Sequence, residues 1–236
     1  MNVAILTAGG SGTRMGQDIP KQFLHIYDKP VIIYTMEAFQ RHPSIDGIIV
    51  VCKEGWHDVL RSYAKQFNIT KLVAIVNGGE TGQESIKNGL KKAKELYNEN
   101  DIVIIHDGIR CMVSEEIISD NIAKCIMYGN ATTAIPCVEA MLMTDNNIDA
   151  TSQVSRDCLK RTQTPQAFRL KDIWSAHEEA KEKGIKNSVA SCTLYIELGR
   201  KVYFSVGSEK NIKLTTPDDI EIFKALLNTK KAEWMK

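Results

Sequence analysis

A glycine-rich segment followed by two cations near the N-terminus has the composition of a polyphosphate-binding loop. Three glycines stand within four positions: Gly9, Gly10 and Gly12. They follow the apolar run 3–6, which predicts a buried strand, and Arg14 and Lys21 come after them. Glycine lets the backbone turn tightly and bring its N–H groups against an anion, while the cations offset the anion's charge. The segment therefore predicts a phosphate-binding loop at the end of a first strand.

Three other interpretations of this loop must be considered: two known motifs and a glycine-rich turn that binds nothing. The dinucleotide fingerprint needs a third small residue where Met15 stands, and an acid about 20 residues later that is missing here. The phosphate loop of ATPases needs Gly-Lys-Ser or Gly-Lys-Thr after four spacer residues, and the chain contains neither. A glycine-rich turn that binds nothing is disfavoured by the two cations. What remains is a phosphate-binding loop of a different kind, with the pattern G-G-x-G-T-R-M followed after four residues by Pro-Lys.

The overall composition is that of a globular protein without a charged binding surface. The 236 residues are 43% hydrophobic and 25% charged, and the formal net charge is +1. This length fits a single domain spanning residues 1–236. The charge balance predicts no nucleic-acid surface and no membrane patch, so anion binding must be local. Six scattered cysteines without a C-x-x-C pair, and no signal-peptide pattern, favour a reducing cytoplasmic location.

Strands and helices alternate through the first half of the chain. Apolar runs predict four strands: 3–6, 47–52, 72–76 and 101–106. Helical spacing separates the first three of these runs, and a helix follows the glycine turn after the third. This alternation predicts a doubly wound, Rossmann-like α/β sheet, in which ligands bind beyond the carboxyl ends of the strands. The polar segments that follow Leu6, Val76 and His106 are therefore expected to meet in one crevice.

A projecting hairpin arm is predicted at about 138–156. Two apolar stretches, 138–143 and 148–154, flank the turn-forming triplet Asp145-Asn146-Asn147 without a helix between them. An isolated two-stranded hairpin is only marginally stable in water. We therefore expect the arm to pack on a second copy of the chain and to form a homodimer. An arm folded against its own chain is the alternative.

The remainder of the chain is predicted to return to the α/β pattern. Helices are expected at 171–183 and 188–198, and strands at 201–206 and 211–215. The last helix should begin at Thr216, which suits an N-cap and is followed by Pro217 and two acids.

Several motifs resemble the cytidylyltransferases that act on 2-C-methyl-D-erythritol 4-phosphate or ribitol 5-phosphate. They are the first loop, the His106-Asp107-Gly108-Ile109-Arg110 segment, and the stretches 163–168 and 211–219. The resemblance covers nearly the whole chain. It implies a Rossmann-like nucleotidyltransferase fold with a projecting β-arm, and an enzyme that joins CTP to a phosphorylated polyol and releases pyrophosphate.

The resemblance also implies roles for individual residues. The nucleotide-binding set is Thr7, Ala8, Gly9, Gly10, Gly12, Gly78, Gly79, Ser85 and Gly108. Arg14 and Lys21 would stabilise charge on the α-phosphate, and Asp107 would bind a Mg²⁺ ion shared with the triphosphate. Lys213 and Arg156 would orient the acceptor phosphate, with Arg156 acting in the neighbouring subunit.

Four positions depart from the pattern of this family. Gly82 stands in place of arginine, Ala140 in place of threonine, Ser188 in place of aspartate, and Cys111 in place of proline. None of them removes a residue assigned to the reaction itself. We therefore expect cytidylyl transfer to ribitol 5-phosphate or a related polyol or glycerol phosphate, for a cell-surface polymer. The alternatives are 2-C-methyl-D-erythritol 4-phosphate as acceptor, in isoprenoid synthesis, and a non-catalytic nucleotide-binding relative.

Overall fold

The computed structural model describes residues 1–10 and 19–229. The strands are β1 (Asn2–Ala8), β2 (His25–Ile26), β3 (Lys29–Pro30), β4 (Gly47–Cys52), β5 (Leu72–Asn77), β6 (Ile102–Asp107), β7 (Asn130–Pro136), β8 (Met141–Met143), β9 (Ser152–Val154), β10 (Lys160–Arg169) and β11 (Phe204–Val206). The helices are α1 (Val31–Arg41), α2 (His57–Gln66), α3 (Gly82–Leu96), α4 (Glu115–Tyr128), α5 (Leu170–Glu182), α6 (Ser191–Glu197) and α7 (Pro217–Asn228). Among these described residues, no helix is long and apolar enough to cross a bilayer.

Seven of the strands form one sheet in the order β11-β7-β10-β6-β1-β4-β5. Strands β1, β4, β5 and β6 run parallel to one another. All six residues of β4 are buried because helices cover both faces of the sheet. Val50 belongs to the core beneath α1 and α4, whereas its neighbour Val51 belongs to the core beneath α3 and α5. The predicted α/β fold is confirmed.

Strand β10 departs from the parallel pattern, since it runs antiparallel between β6 and β7. It is joined to β7 through the hairpin arm, and a hairpin connection reverses the chain whereas a helical crossover would not. This reversal brings Thr162, Gln163 and Thr164 of β10 to the end of the sheet at which the parallel strands finish.

The predicted arm is present as a separate two-stranded sheet of β8 and β9. Its strands are shorter than the apolar stretches indicated, and the connection spans 144–151. Asn146 closes that connection by accepting from the backbone N–H of Ile148 at 2.8 Å and of Asp149 at 3.1 Å. Several large apolar side chains of the arm are exposed: Val138, Met141, Leu142, Met143 and Ile148.

The predicted strand at 211–215 is wrong, and the predicted strand at 201–206 is confined to β11. The backbone at 211–214 bonds to turns rather than to a neighbouring strand: Asn211 N–H donates to Ser208, and Leu214 N–H donates to Ile109. The helix expected at 188–198 begins three residues later, at Ser191. The last helix begins as predicted, with the Thr216 hydroxyl and the Asp219 carboxylate forming a capping box.

Candidate functional site

Two adjoining cavities lie at the carboxyl ends of the parallel strands. The larger, of about 540 Å³, is bounded by the loop after β1 and by the turn between β5 and α3. The smaller, of about 160 Å³, lies against β10 and the start of α6. Five residues belong to the walls of both: Thr7, Ile86, Asp107, Val189 and Lys213. A ligand that fills both cavities must pass Asp107 and Lys213.

The structure brings most of the predicted first loop to the larger cavity. Its wall includes Thr7, Ala8, Gly9, Gly10 and Lys21. Gly12 and Arg14 lie outside the described residues. The side chain of Gln22, which is 1% exposed, donates to the carbonyls of Ala8 at 2.7 Å and Gly10 at 3.1 Å. Gln22 therefore ties the loop to the segment that carries Lys21, a role that sequence reasoning missed.

The second predicted loop packs directly against the first. A Cβ atom built on Gly9 would lie 3.3 Å from the Cα of Gly78, so the two backbones approach each other more closely than larger residues allow. Gly79 and Ser85 line the larger cavity, and the Ser85 hydroxyl accepts from the Gly79 N–H at 3.0 Å. Gly78 itself lies behind this wall rather than among its described lining residues.

Besides Gly78, two further predicted residues lie away from the walls of both cavities as far as the described part of the chain shows. Gly108 donates its N–H to the Thr7 carbonyl at 2.9 Å, and a Cβ added to it would lie 2.6 Å from Ile32. Gly108 therefore packs so closely against its neighbours that a larger residue would not fit. Arg156 lies at the base of the arm, where its guanidinium donates to the Val138 carbonyl at 3.0 Å.

Asp107, at the end of β6, is held between two cations. Arg110 Nε donates to one carboxylate oxygen at 3.0 Å, and Lys213 Nζ lies 3.2 Å from the other. Burial opposes ionisation of this carboxyl, but Lys213 and Arg110 outweigh it and lower the pKa of Asp107 below its ordinary value. Asp107 is therefore ionised at neutral pH.

His106 is buried and is linked to the backbone of Asp107 through Thr164. Its Nε2 lies 3.1 Å from the Arg110 carbonyl, which only accepts, so Nε2 carries the proton. Nδ1 then accepts from the Thr164 hydroxyl at 3.0 Å, and that hydroxyl accepts from the Asp107 N–H at 3.0 Å. Burial lowers the pKa of His106 to about 4, so the ring is neutral. Thr164 therefore helps to position Asp107, a role that the sequence did not reveal.

Lys213 reaches the shared wall from a loop held by buried polar groups. The fully buried Asn211 donates its side-chain amide to the Thr164 carbonyl at 2.8 Å. Arg110 donates to the Asn211 carbonyl at 2.7 Å. These residues stand in the stretches that carry the family resemblance, but only the contacts reveal that they position Lys213. The sequence itself offered only an asparagine two positions before Lys213.

The donor set suits a hard cation that is shared with a bound polyphosphate. Within the described ranges, no group of three His, Cys, Asp or Glu side chains is arranged to hold a metal by itself. Mg²⁺ is commonly bound by one or two carboxylates together with substrate phosphates and water. Asp107 supplies one ionised carboxylate on the wall that both cavities share, and Glu80 stands on the wall of the larger one.

Comparison with known proteins identifies the family. The family model for IspD, 2-C-methyl-D-erythritol 4-phosphate cytidylyltransferase, matches residues 2–229. The chain is 44% identical over 233 residues to a ribitol-5-phosphate cytidylyltransferase of Lacticaseibacillus paracasei, covering 98% of this chain and 100% of the relative. It is likewise 44% identical over 232 residues to a ribitol-5-phosphate cytidylyltransferase of Vibrio parahaemolyticus, covering 98% of each.

A solved structure supports the same family assignment. The 4-diphosphocytidyl-2C-methyl-D-erythritol synthase of Anaerococcus prevotii superposes with a TM-score of 0.82 at 27% identity, covering 97% of this chain and 96% of the other. The fold, the paired loops and the sequence matches all point to one group of enzymes. The chain belongs to the 2-C-methyl-D-erythritol 4-phosphate cytidylyltransferase family.

Proposed function

We propose that the protein transfers the cytidylyl group of CTP to the phosphate of ribitol 5-phosphate, giving CDP-ribitol and pyrophosphate. The observation that carries the proposal is the junction of the two cavities at Asp107 and Lys213. It provides a large glycine-lined chamber for a nucleotide and a smaller chamber, lined by polar side chains of β10 among others, for an acceptor. Relatives that are 44% identical over nearly the whole chain and are named ribitol-5-phosphate cytidylyltransferases support this acceptor.

The reaction needs no nucleophile from the protein. The phosphate of ribitol 5-phosphate is largely dianionic at neutral pH, since its second pKa is about 6. One of its oxygens attacks the α-phosphorus of CTP and forms a new P–O bond. The bond from the α-phosphorus to the oxygen that bridges to the β-phosphate breaks, and its electron pair leaves with pyrophosphate. The protein must align the two phosphates and offset the charge that develops between them.

Residues on the two walls divide these tasks. Lys21, together with Arg14 beyond the described ranges, offsets charge on the α-phosphate, while Lys213 orients the acceptor phosphate. Gly79 and Ser85 form the small turn that receives the cytosine. Asp107 would hold Mg²⁺, and the bound metal would neutralise part of the triphosphate charge.

The arm is proposed to join two copies of the chain. Its exposed apolar side chains and its two short strands leave it without a core of its own, which favours burial against a partner. Arg156, at the base of this arm, then contributes to the site of the second copy. We place the homodimer in the cytoplasm, where its activated polyol phosphate would supply polymerases of a cell-surface polymer.

A substrate matrix tests this function. Pyrophosphate release is measured with CTP, UTP, ATP or GTP, each with and without ribitol 5-phosphate, and the product mass is determined. We expect turnover with CTP far above turnover with purine nucleotides, a strict need for the acceptor, and loss of activity in EDTA that MgCl₂ restores. Equal turnover with a purine nucleotide, or pyrophosphate release without an acceptor, would contradict the proposal.

A further inference from the structure

The first turn of α3 contacts both halves of the site. On the nucleotide side, the Ser85 hydroxyl accepts from the Gly79 N–H at 3.0 Å. On the other side, the Gln83 amide contacts the loop that joins α5 to α6. Its Nε2 donates to the Ile185 carbonyl at 2.8 Å, and its Oε1 accepts from the Ser188 N–H at 2.9 Å. One helical turn thus binds the nucleotide-side turn and a second loop at the same time.

This α5–α6 loop, residues 183–190, reaches the mouths of both cavities. Val189 belongs to the walls of both, yet it is 95% exposed. An apolar side chain that is this exposed gains free energy when a substrate or a loop movement covers it. Ala190 and Ser191, which follow it, line the smaller cavity. The position of this loop therefore contributes to the shape of the smaller cavity, the proposed acceptor chamber.

Two hydroxyl groups at this loop lie among buried side chains. Ser188 and Ser191 are 7% and 3% exposed, and within the described chain neither Oγ has a hydrogen-bond partner. A buried hydroxyl without a partner carries a free-energy cost that a small shift of the loop can remove. Ser191 lines the smaller cavity, so a polyol ligand there can also supply its missing partner. The two bonds from Gln83 fix the backbone that carries Ser188, so they determine where the Ser188 hydroxyl lies and hold the loop that leads to Ser191.

We propose that Gln83 is a positioning residue that couples the two halves of the site. When CTP orders the Gly79 turn, Gln83 holds the α5–α6 loop in the position that completes the acceptor chamber. The inference rests on the proposed function, since it needs CTP in the larger cavity. Gln83→Met fills a similar volume without either hydrogen bond. Gln83→Glu keeps an acceptor for the Ser188 N–H but loses the donor to Ile185.

Hydrogen–deuterium exchange of the full-length protein, with and without CTP and Mg²⁺, tests the coupling. In the wild type, CTP should slow exchange severalfold in peptides from 78–85 and from 185–191. In Gln83→Met, CTP should still protect 78–85 but should leave 185–191 unprotected. The control is Gln66→Met, an exposed glutamine at the end of α2, which should behave as the wild type.

Steady-state kinetics supply a readout that a general loss of stability would not give. At saturating CTP, Gln83→Met should raise the KM for ribitol 5-phosphate about tenfold, while the KM for CTP changes less than about twofold. The KM of Gln83→Glu for ribitol 5-phosphate should lie between those of the wild type and Gln83→Met. Equal CTP protection of 185–191 in Gln83→Met and the wild type, or an unchanged acceptor KM, would overturn the coupling alone. Absence of protection in both wild-type peptides would overturn the CTP assignment and the coupling with it.

Discussion

Lys213 Nζ lies 3.2 Å from a carboxylate oxygen of Asp107, although 106 positions separate the two residues in the chain. The contact joins the end of β6 to the loop before α7, on the wall that both cavities share. Arg110 occupies the other carboxylate oxygen and is 13% exposed, whereas the Lys213 side chain is 44% exposed. Of these two cations, Lys213 is therefore the more accessible to a phosphate.

Replacing Lys213 by methionine should impair catalysis more than folding. The substitution keeps most of the length of the side chain and removes its charge, so kcat/KM should fall about 10²–10³-fold, as for the loss of one charge-stabilising donor. Pyrophosphate release measures the rate, and Lys210→Met, an exposed lysine three residues earlier, is the control. A Lys213→Met enzyme with more than half of the wild-type kcat/KM would show that this lysine is a surface group.

Two inactive variants should restore activity to each other if the arm completes the site of a partner. Arg156→Ala and Lys21→Ala are mixed and allowed to exchange subunits. One site of a mixed dimer then combines wild-type Lys21 from one chain with wild-type Arg156 from the other, and recovery should approach about half of normal per mixed dimer. Each variant treated alone is the control. Continued inactivity, with subunit exchange verified independently, would place both residues in the same chain's site.

Gly82 offers room for a cation beside the nucleotide chamber. It lines the larger cavity, and outside its own helical turn no described atom lies within 4 Å of a Cβ added there. Gly82→Arg should lower the KM for CTP severalfold, since a gain of about 1 kcal/mol corresponds to about fivefold in affinity. Gly82→Ala, which adds helix propensity without charge, should leave that KM unchanged. An arginine variant whose KM for CTP matches that of the alanine variant would contradict this placement.

His177 should make the protein sensitive to mild acid. It is 2% exposed, and burial together with the nearby Lys87 lowers its pKa to about 4. In the unfolded chain the imidazole titrates near 6.5, so the unfolded state binds the proton first as the pH falls. Stability is therefore complete above pH 6.5 and falls by about 1.4 kcal/mol per pH unit toward pH 4 for this group.

Urea unfolding at pH 7, 6 and 5 measures this effect. His177→Leu should lose less free energy of unfolding across this range than the wild type, by about 1–2 kcal/mol. It should be at least as stable at pH 7, because in the described structure neither ring nitrogen of His177 has a hydrogen-bond partner. His25→Leu changes an exposed histidine and is the control. If His177→Leu and the wild type lose the same free energy of unfolding between pH 7 and pH 5, the acid sensitivity does not come from His177.

The sequence was informative where burial, local capping chemistry or the topology of a parallel sheet determines the structure. The continuous apolar run 47–52 coincides with β4, because a strand covered on both faces requires apolar residues throughout. Thr216 and Pro217 begin α7 as expected, since capping depends on local chemistry. The glycine turns and Asp107 were placed together correctly because parallel strands end at one edge of a sheet.

Features that depend on distant side chains could not be read from the pattern. The stretch 211–215 is apolar enough for a strand, yet the amide of Asn211 and the guanidinium of Arg110 hold it as a loop. Gln22 and Thr164 are ordinary polar residues in the sequence. Their roles depend on carbonyls and rings that only the folded chain brings within about 3 Å, which is hydrogen-bond distance.

A competition assay tests the central claim most directly. The enzyme receives CTP and Mg²⁺ with equimolar ribitol 5-phosphate and 2-C-methyl-D-erythritol 4-phosphate, and mass spectrometry quantifies the two CDP-linked products at low conversion. Their ratio equals the ratio of the two kcat/KM values, which is the measure of specificity. The account predicts that CDP-ribitol exceeds the other product about tenfold or more, since one misplaced methyl group is worth that much in a fitted site. An excess of the methylerythritol product, or no CDP-linked product, would contradict it.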